Sequence, residues 1–288
     1  MTSRNAAPSM RRRRPAIVAA VVSYAILLAG AALTLGPFLL SVGTSLKTPK
    51  QLANESPLNL PNPFSSQNYV NLFNNDVIDF GRAVWVTAAY AGVVVLLQVG
   101  FSVMAGYAFA RVRFPGREAV FWVYLATLMV PPAVTIVPLY LEMVQLGARN
   151  TFWGLVLPYL FGSPYAIFLL REYFRGIPQD LVDAARIDGA GHWRILTRIM
   201  VPLARPVIAT LGLITVVTHW NNFLWPLIIT SGPTWGVITV TTASMQSQYN
   251  GNWTLVMAAT TTAMAPLILL FIVFNKQIVN SIAITGFR

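Results

Sequence analysis

The sequence predicts an all-α polytopic membrane protein that crosses the bilayer six times and carries one polar helical loop. Hydrophobic residues make up 56% of the chain and charged residues only 10%, and the mean hydropathy is +0.61. Ordinary soluble domains do not have this composition. Six apolar runs also follow one another, each near the roughly 20 residues with which a helix crosses ~30 Å of hydrocarbon.

The first apolar run follows a polar, basic arm at residues 1–15. The run is too long for the apolar core of a secretory signal peptide, and no small-residue cleavage site follows it, so it predicts an uncleaved membrane helix. A loop rich in proline and asparagine, residues 47–79, separates it from the second run. The six predicted spans are 16–42, 84–110, 120–141, 152–170, 207–229 and 255–273.

The third span is predicted to be broken or kinked, because Pro131, Pro132 and Pro138 lie inside it. In a membrane such a break requires neighbouring protein that supplies partners for the freed backbone groups. For the other five runs, including 152–170 and 207–229, we expect one helix each.

The distribution of Lys and Arg predicts the orientation. These residues gather in the N-terminal arm, around 111–117 and in the loop 175–206, whereas the opposite side has few of them and the segment 231–252 has none. Because cytoplasmic loops carry the excess of positive charge, both termini and 175–206 are expected in the cytoplasm and 231–252 outside. Residues 16–288 then form one six-span domain in a bacterial cytoplasmic membrane, surrounded by lipid.

Several functional classes find no support in the residues. The net charge of +11 lies beside apolar spans and forms no basic stripe, so we expect no nucleic-acid binding. There is no cysteine and no phosphate-binding loop, and His192 and His219 are far apart, so no catalytic residue, metal or cofactor is predicted. The spans are also nearly free of ionisable residues, which argues against a proton- or sodium-coupled carrier.

The polar loop is predicted to contain two short helices joined by a hinge at Asp188–Gly189. Acidic residues follow Pro178 in the first turns, where the helix dipole favours them, and Gly189 tolerates the left-handed turn that ends a helix. A second helix from 191 to 201 is expected to place Arg194 and Arg198 on one face. We expect Pro202 and Pro206 to end it.

The sequence of this loop resembles the EAA loop of ABC-importer permeases, with Asp183-Ala184-Ala185 followed by Asp188-Gly189-Ala190. In that family the segment is a coupling helix that docks into an ATPase subunit, and its usual Glu is replaced here by Asp183. The alternative is a pair of surface helices at the lipid headgroups. The resemblance implies coupling through Asp180–Pro206, with the site residues Asp183, Ala184, Ala185, Asp188, Gly189, Ala190, Arg194, Ile199 and Pro202.

The fifth span contains a polar group, Trp220, Asn221 and Asn222, toward its outer half. One interpretation is a path for a hydroxyl-rich solute, in which the aromatic ring contacts sugar C–H groups and the amides bind hydroxyls. The other is hydrogen bonding to neighbouring helices, with the tryptophan in the interfacial belt. For the adjacent His219 we favour packing.

Four more stretches, Gly106–Gly116, Met129–Tyr140, Phe168–Pro178 and Trp220–Leu227, resemble the second-subunit branch of maltose-type sugar permeases. The resemblance implies an ABC type I importer permease that forms a heterodimer with a second permease. It also implies an ATPase dimer that holds ATP and magnesium, and an extracytoplasmic solute-binding protein. The expected solute is a carbohydrate. A glycerophosphodiester or other polar solute remains open, as does a stand-alone secondary carrier or channel.

Overall fold

Helices form the regular structure of the described chain. The computed structural model describes residues 13–75, 77–248 and 252–285, and no strand occurs among them. Three helices are long and apolar enough to cross a membrane, and three bent helix pairs qualify if each pair is one span. The all-α polytopic architecture is therefore confirmed. The helices are α1 (Arg13–Ser45), α2 (Pro49–Asn54), α3 (Gln67–Phe73), α4 (Phe80–Arg111), α5 (Arg117–Met129), α6 (Pro132–Gln145), α7 (Phe152–Tyr159), α8 (Pro164–Gly176), α9 (Gln179–Ile187), α10 (His192–Leu203), α11 (Arg205–Trp220), α12 (Leu224–Ile229), α13 (Ile238–Gln248) and α14 (Trp253–Thr285).

The described residues fall into two compact units, of which the first contains those within Met1–Val70 and Gly251–Thr261. Helix α1 begins at Arg13, and residues 1–12 of the predicted basic arm lie outside the described residues. From Ala19 onward most side chains of α1 are exposed and apolar. Such a surface matches a helix that contacts lipid tails, which are as apolar as leucine.

The segment after α1 is folded around a buried lysine. The Lys47 ammonium donates to the carbonyl of Ser56 at 3.0 Å, and the Asn68 amide donates to the carbonyls of Ser45 and Lys47 at 2.7 and 2.8 Å. Buried polar groups need such partners. The predicted loop 47–79 is thus an ordered segment that contains the short helices α2 and α3.

The second unit contains the described residues within Asn71–Asn250 and Thr262–Arg288. Its central helix, α4, matches the span predicted at 84–110 and includes a π-helical turn at Val95–Val99. A Cβ on Gly106 would lie 2.8 Å from the Cβ of Leu170 in α8. Only glycine therefore permits the observed approach of these two helices.

Three of the predicted spans are interrupted. The break predicted in the third is confirmed, since α5 and α6 meet at 102°. The expectation of one helix at 152–170 was wrong, because α7 and α8 are separated and bent by 43°. Pro164 starts α8, and the residue before a proline is disfavoured in helical geometry; Ser163 accordingly has a ψ of 134°.

The expectation of one helix at 207–229 was also wrong, because α11 ends at Trp220 and α12 begins at Leu224. Within a continuous helix Pro226 would clash with the carbonyl of Asn222 and leave it without a donor. The break places Pro226 in the first turn of α12. The Asn222 carbonyl instead accepts from the hydroxyl of Thr239 at 2.7 Å.

Two hydrophobic clusters fill the second unit. One surrounds the last turns of α4 and includes Tyr107, Phe174, Val182 and Met200, so it joins α4 and α8 to the loop helices α9 and α10. The other includes Tyr90 and joins the first half of α4 to α7 and α12. Each cluster borders one of the two candidate sites. Helix α13 lies within the predicted external loop 231–252, of which residues 249–251 are outside the described chain.

Candidate functional site

Helices α9 and α10 of the polar loop meet at a left-handed turn. Gly189 has a φ of +76°, a conformation that costs other L-residues ~1–2 kcal/mol. Its amide donates to the Arg186 carbonyl at 3.0 Å, and the Ala190 amide donates to the Ala185 carbonyl at 2.9 Å. The two bonds form a Schellman motif, which satisfies the last carbonyls of α9. The hinge predicted at Asp188–Gly189 is confirmed.

One face of this hinged pair is anchored in the core. Val182 and Met200 are 0% exposed and Ile195 is 1% exposed. Ala185 and Ala190, on either side of the Schellman turn, pack against the same cluster. Both helices of the pair are therefore anchored in the core on one side, and their opposite faces are exposed.

The outer face carries apolar side chains that sequence reasoning missed. Ile187 is 87% exposed and Trp193 is 65% exposed. They interrupt the otherwise polar face of two amphipathic helices, which is the signal that could have found them. Of the predicted coupling residues, Asp183, Ala184, Asp188, Gly189 and Arg194 lie exposed on this pair of helices, and Ala185, Ala190, Ile199 and Pro202 are half-buried.

The second loop helix, expected to end at 201 before Pro202 and Pro206, ends at Leu203, between the two prolines. Pro202 lies inside α10, after a π-helical turn at Leu196–Met200. A wider turn of this kind accommodates a residue that cannot make the regular helical bond. Pro206 is in the first turn of α11, where its missing N–H costs nothing. A sharp bend of 80° separates the two helices.

The first loop helix is tied to the end of α4 by Arg111. The Arg111 guanidinium donates to the Phe174 carbonyl through Nε at 3.1 Å, and also to the carbonyl of Ile177 and to the Gln179 side chain. Gln179 in turn donates to Asp183 at 2.9 Å. A continuous set of hydrogen bonds therefore leads from the end of α4 to the acidic residue of the loop motif.

The second loop helix is tied to α4 by Tyr107. Its hydroxyl lies 3.0 Å from Nδ1 of His192, at the start of α10. The ring also packs edge-on against Phe174 in α8. Sequence reasoning did not find Tyr107 or Arg111, because nothing local marks an interaction with residues more than 60 positions away.

The second candidate site lies at the break between α11 and α12. Trp220 ends α11 and is buried, with its indole donating to the Ala263 carbonyl at 3.0 Å. Asn221 is exposed and donates to the Val217 carbonyl of its own helix at 2.9 Å. Asn222 is half-buried at the point where the helix is interrupted. Of the two asparagines, Asn222 is the one whose side-chain amide hydrogen-bonds to other membrane helices.

Asn222 belongs to a polar cluster of four side chains. Its amide donates to the hydroxyls of Tyr90 at 3.2 Å and Tyr159 at 3.1 Å. The Tyr90 hydroxyl lies 2.9 Å from Nδ1 of His219, whose ring centroid is 4.6 Å from that of Tyr159. Helices α4, α7 and α11 thus converge on one buried polar position. His219 packs within it, and the two tyrosines were not foreseen.

Neither position has the composition of a metal site. Among the described residues, no group of three or more His, Asp or Glu side chains could hold a metal ion. What the geometry offers instead is an exposed, rigid loop at one end of α4 and a hydroxyl- and amide-lined helix break nearer the other end. Together they give a multi-span membrane protein with an exposed helical loop and a buried polar cluster.

The chain belongs to the family described as the binding-protein-dependent transport system inner membrane component, whose pattern matches residues 98–284. It is 33% identical over 274 residues to the diacetylchitobiose uptake system permease protein of Streptomyces coelicolor, covering 93% of this chain and 89% of that protein. It is 31% identical over 283 residues to the sn-glycerol-3-phosphate transport system permease protein of Brucella abortus, covering 96% and 99%.

A solved structure shares the fold. A chain of a bacterial ABC transporter involved in the import of the acidic polysaccharide alginate superposes with a TM-score of 0.80 at 21% identity. The match covers 94% of this chain and 99% of that chain. The permease architecture inferred from the loop and the spans is therefore confirmed: this chain is a multi-pass membrane permease of the ABC-importer type.

Proposed function

We propose that this permease is one half of an ATP-driven carbohydrate importer and that α9 and α10 dock it onto a partner ATPase. The observation that carries the proposal is the exposed apolar pair Ile187 and Trp193, beside the small residue Ala184, on a hinge whose other face is buried. Exposed aromatic side chains such as tryptophan are enriched at protein interfaces and often contribute most to binding. In this proposal ATP and magnesium belong to the partner, and the permease subunit is not itself an enzyme.

Movement of the ATPase would reach the membrane helices through two direct contacts. Gln179 on α9 is bonded to Arg111, and His192 on α10 is bonded to Tyr107. Both α4 residues lie within its last turns, and α4 is a continuous span. A rigid-body push on the loop is therefore applied to α4 itself, which is how small displacements at an interface become reorientation of packed helices.

The assembly that we propose contains a second permease, two ATPase subunits and an extracytoplasmic solute-binding protein. Its support is the family to which the chain belongs and the excess of arginine around the loop. By the positive-inside rule, both termini and residues 175–206 are cytoplasmic and 231–252 faces outward, toward the binding protein. Residues 16–288 act as the permease domain behind a basic arm at 1–15.

A neutral sugar is the solute that the helix break favours. Tyr90, Tyr159 and Asn222 offer hydroxyl and amide groups, which pair with sugar hydroxyls. No lysine or arginine hydrogen-bonds to these three side chains within the described chain. A glycerophosphodiester, suggested by the relative that transports sn-glycerol-3-phosphate, would gain from a cation for its phosphate. The predicted path through Trp220, Asn221 and Asn222 is part of this proposal, with Asn222 at its centre.

Purification from the native host in mild detergent, followed by mass spectrometry, tests the assembly. An ATPase and a second permease should accompany the chain, and an Ile187→Asp variant should lose the ATPase while retaining the second permease. An Arg198→Gln variant, which changes an exposed charge on the other loop helix, α10, is the control. If the chain is recovered alone and transports solute without ATP, the stand-alone carrier replaces this proposal.

A further inference from the structure

A basic cavity lies between the end of α4, the start of α5 and the hinged loop. It has a volume of about 640 Å³, and its lining includes Arg111, Arg113, Arg117, Asp183, Arg186 and His192. Pockets for small organic ligands have about 300–1,000 Å³. The space therefore accommodates a molecule much larger than a simple ion. Its lining includes Arg111, Gln179 and His192, which also form the proposed coupling contacts.

The charges around this cavity do not balance. Its lining contains four arginines and one acidic residue, Asp183, and one of the four, Arg117, is paired with Glu118 at 3.1 Å. Asp183 forms an ion pair with Arg186 at 3.4 Å and accepts a hydrogen bond from Gln179 at 2.9 Å, and the side chains of the ion pair are about half exposed. Exposed pairs of this kind contribute little, so Arg186 can turn to another anion at small cost.

Two other arginines show how much of the positive charge is available. Arg113 is exposed and makes no hydrogen bond or ion pair with the described residues. Arg111 donates its hydrogen bonds to neutral carbonyl and amide groups. No carboxylate among the described residues neutralises its charge by a hydrogen bond or an ion pair. A guanidinium with an unused fork is the side chain that best matches the oxygens of a phosphate.

The position of the cavity points to the source of the phosphate. Helix α4 is a membrane span that ends at Arg111, and α5 begins the next bent pair at Arg117. The connection between them carries Phe114, and α5 carries the exposed Trp122. Aromatic residues beside arginines at the ends of spans are typical of the headgroup level, and basic pockets between membrane helices bind anionic headgroups.

We propose that this cavity binds a phosphate group, carried by an anionic phospholipid headgroup or by a soluble phosphate, with Arg113 and Arg186 as its principal ligands. An occupant would lie against Asp183 and Arg186, next to the docking surface. The proposal does not depend on which partners the loop docks. Its test measures lipid or phosphate binding and leaves transport aside.

The test uses the full chain with the partners that copurify with it, delipidated in mild detergent. Native mass spectrometry compares retention of dioleoylphosphatidylglycerol with that of dioleoylphosphatidylcholine, which has the same chains and no net charge. A parallel thermal-shift titration uses inorganic phosphate against chloride at equal ionic strength. The variants are Arg113→Gln/Arg186→Gln and, as a control of exposed charge on the same loop, Arg198→Gln.

A lipid source predicts preferential retention of phosphatidylglycerol, reduced about tenfold by the double substitution and unchanged by Arg198→Gln. A soluble source predicts no preference between the lipids, and stabilisation by phosphate that the double substitution removes. If the wild-type protein shows neither effect, the proposal is wrong whatever the variants do. If Arg198→Gln lowers lipid retention or phosphate stabilisation as much as the double substitution does, the effect reflects general surface charge, and the proposed site is wrong.

Discussion

Substitution of Gly189 by threonine tests whether the left-handed hinge sets the geometry of the docking surface. The Cβ of a residue at this position would meet nothing within 4 Å, so packing is not disturbed. The cost is conformational, because a φ of +76° is strongly disfavoured for a β-branched residue. Relief of that strain requires the Schellman turn between α9 and α10 to open.

The magnitude follows from the backbone conformation. A left-handed conformation costs an ordinary L-residue ~1–2 kcal/mol, and a β-branched residue is at the upper end of this range. If the docked state requires the turn, binding of the ATPase should weaken by roughly 5- to 30-fold, since 1.4 kcal/mol corresponds to about tenfold. The buried face of the loop stays anchored, so the chain should still fold.

Gly191→Thr is the matched control. Gly191 is two residues away, has φ −72° and ψ 168°, and caps the start of α10. Its Cβ would also meet open space. Threonine adopts this extended conformation readily and is as good a helix N-cap as glycine. The same substitution is therefore strained at 189 and unstrained at 191.

The assay is titration of the purified ATPase subunit onto the permease pair in nanodiscs, together with solute-dependent ATP hydrolysis. We expect Gly189→Thr to weaken both and Gly191→Thr to leave both near the wild-type level. Unchanged binding and coupling in Gly189→Thr would refute the hinge argument. Equal losses in the two variants would show that bulk on the outer face, rather than the left-handed turn, is what docking cannot tolerate.

Single substitutions elsewhere in the second unit test three further contacts: one proposed for coupling, one close approach of two helices, and one within the polar cluster. Tyr107→Phe removes the 3.0 Å hydrogen bond to His192, which is worth about 0.5–1.5 kcal/mol. Solute should then stimulate ATP hydrolysis less, although the ATPase still binds. Full stimulation would exclude this contact from coupling. Gly106→Ala forces a Cβ to 2.8 Å from Leu170, so overpacking of about 1–3 kcal/mol should lower the Tm in detergent. Gly92→Ala, which meets open space in the same helix, should not, and equal effects would contradict the close-approach argument. Asn222→Ala leaves two tyrosine hydroxyls short of a donor, at about 1–3 kcal/mol, and should lower the Tm more than Asn221→Ala does; the reverse order would contradict the cluster.

Features set by short stretches of sequence could be predicted. The spans follow from apolar length, and the break near Pro131 follows from the ring that removes a helical bond. The turn at Gly189 follows from the only residue type that adopts it freely. In each case the cause lies within a few residues of its effect, so one sequence was enough.

Features set by distant partners could not be predicted. Asn222 was expected inside a helix, and it lies in a break because Pro226 and Thr239 together redirect its carbonyl. The proline was visible in the sequence, but the hydroxyl that donates to the Asn222 carbonyl belongs to Thr239 on another helix. Likewise, Tyr107 contacts His192 across 85 positions, and an isolated tyrosine in an apolar span carries no local sign of that contact.

One helix, α4, connects the two candidate sites, and in an importer it offers a direct mechanical link between them. Tyr90 at the polar cluster and Tyr107 at the loop lie 17 residues apart on α4, or roughly 25 Å at ~1.5 Å per residue. A π-helical turn at Val95–Val99 lies between them. Such turns recur at functional positions because they interrupt the regular register of a helix. In the proposed importer, a push received at Tyr107 and Arg111 would therefore pass along α4, through this turn, to Tyr90 and its contacts with Asn222 and His219.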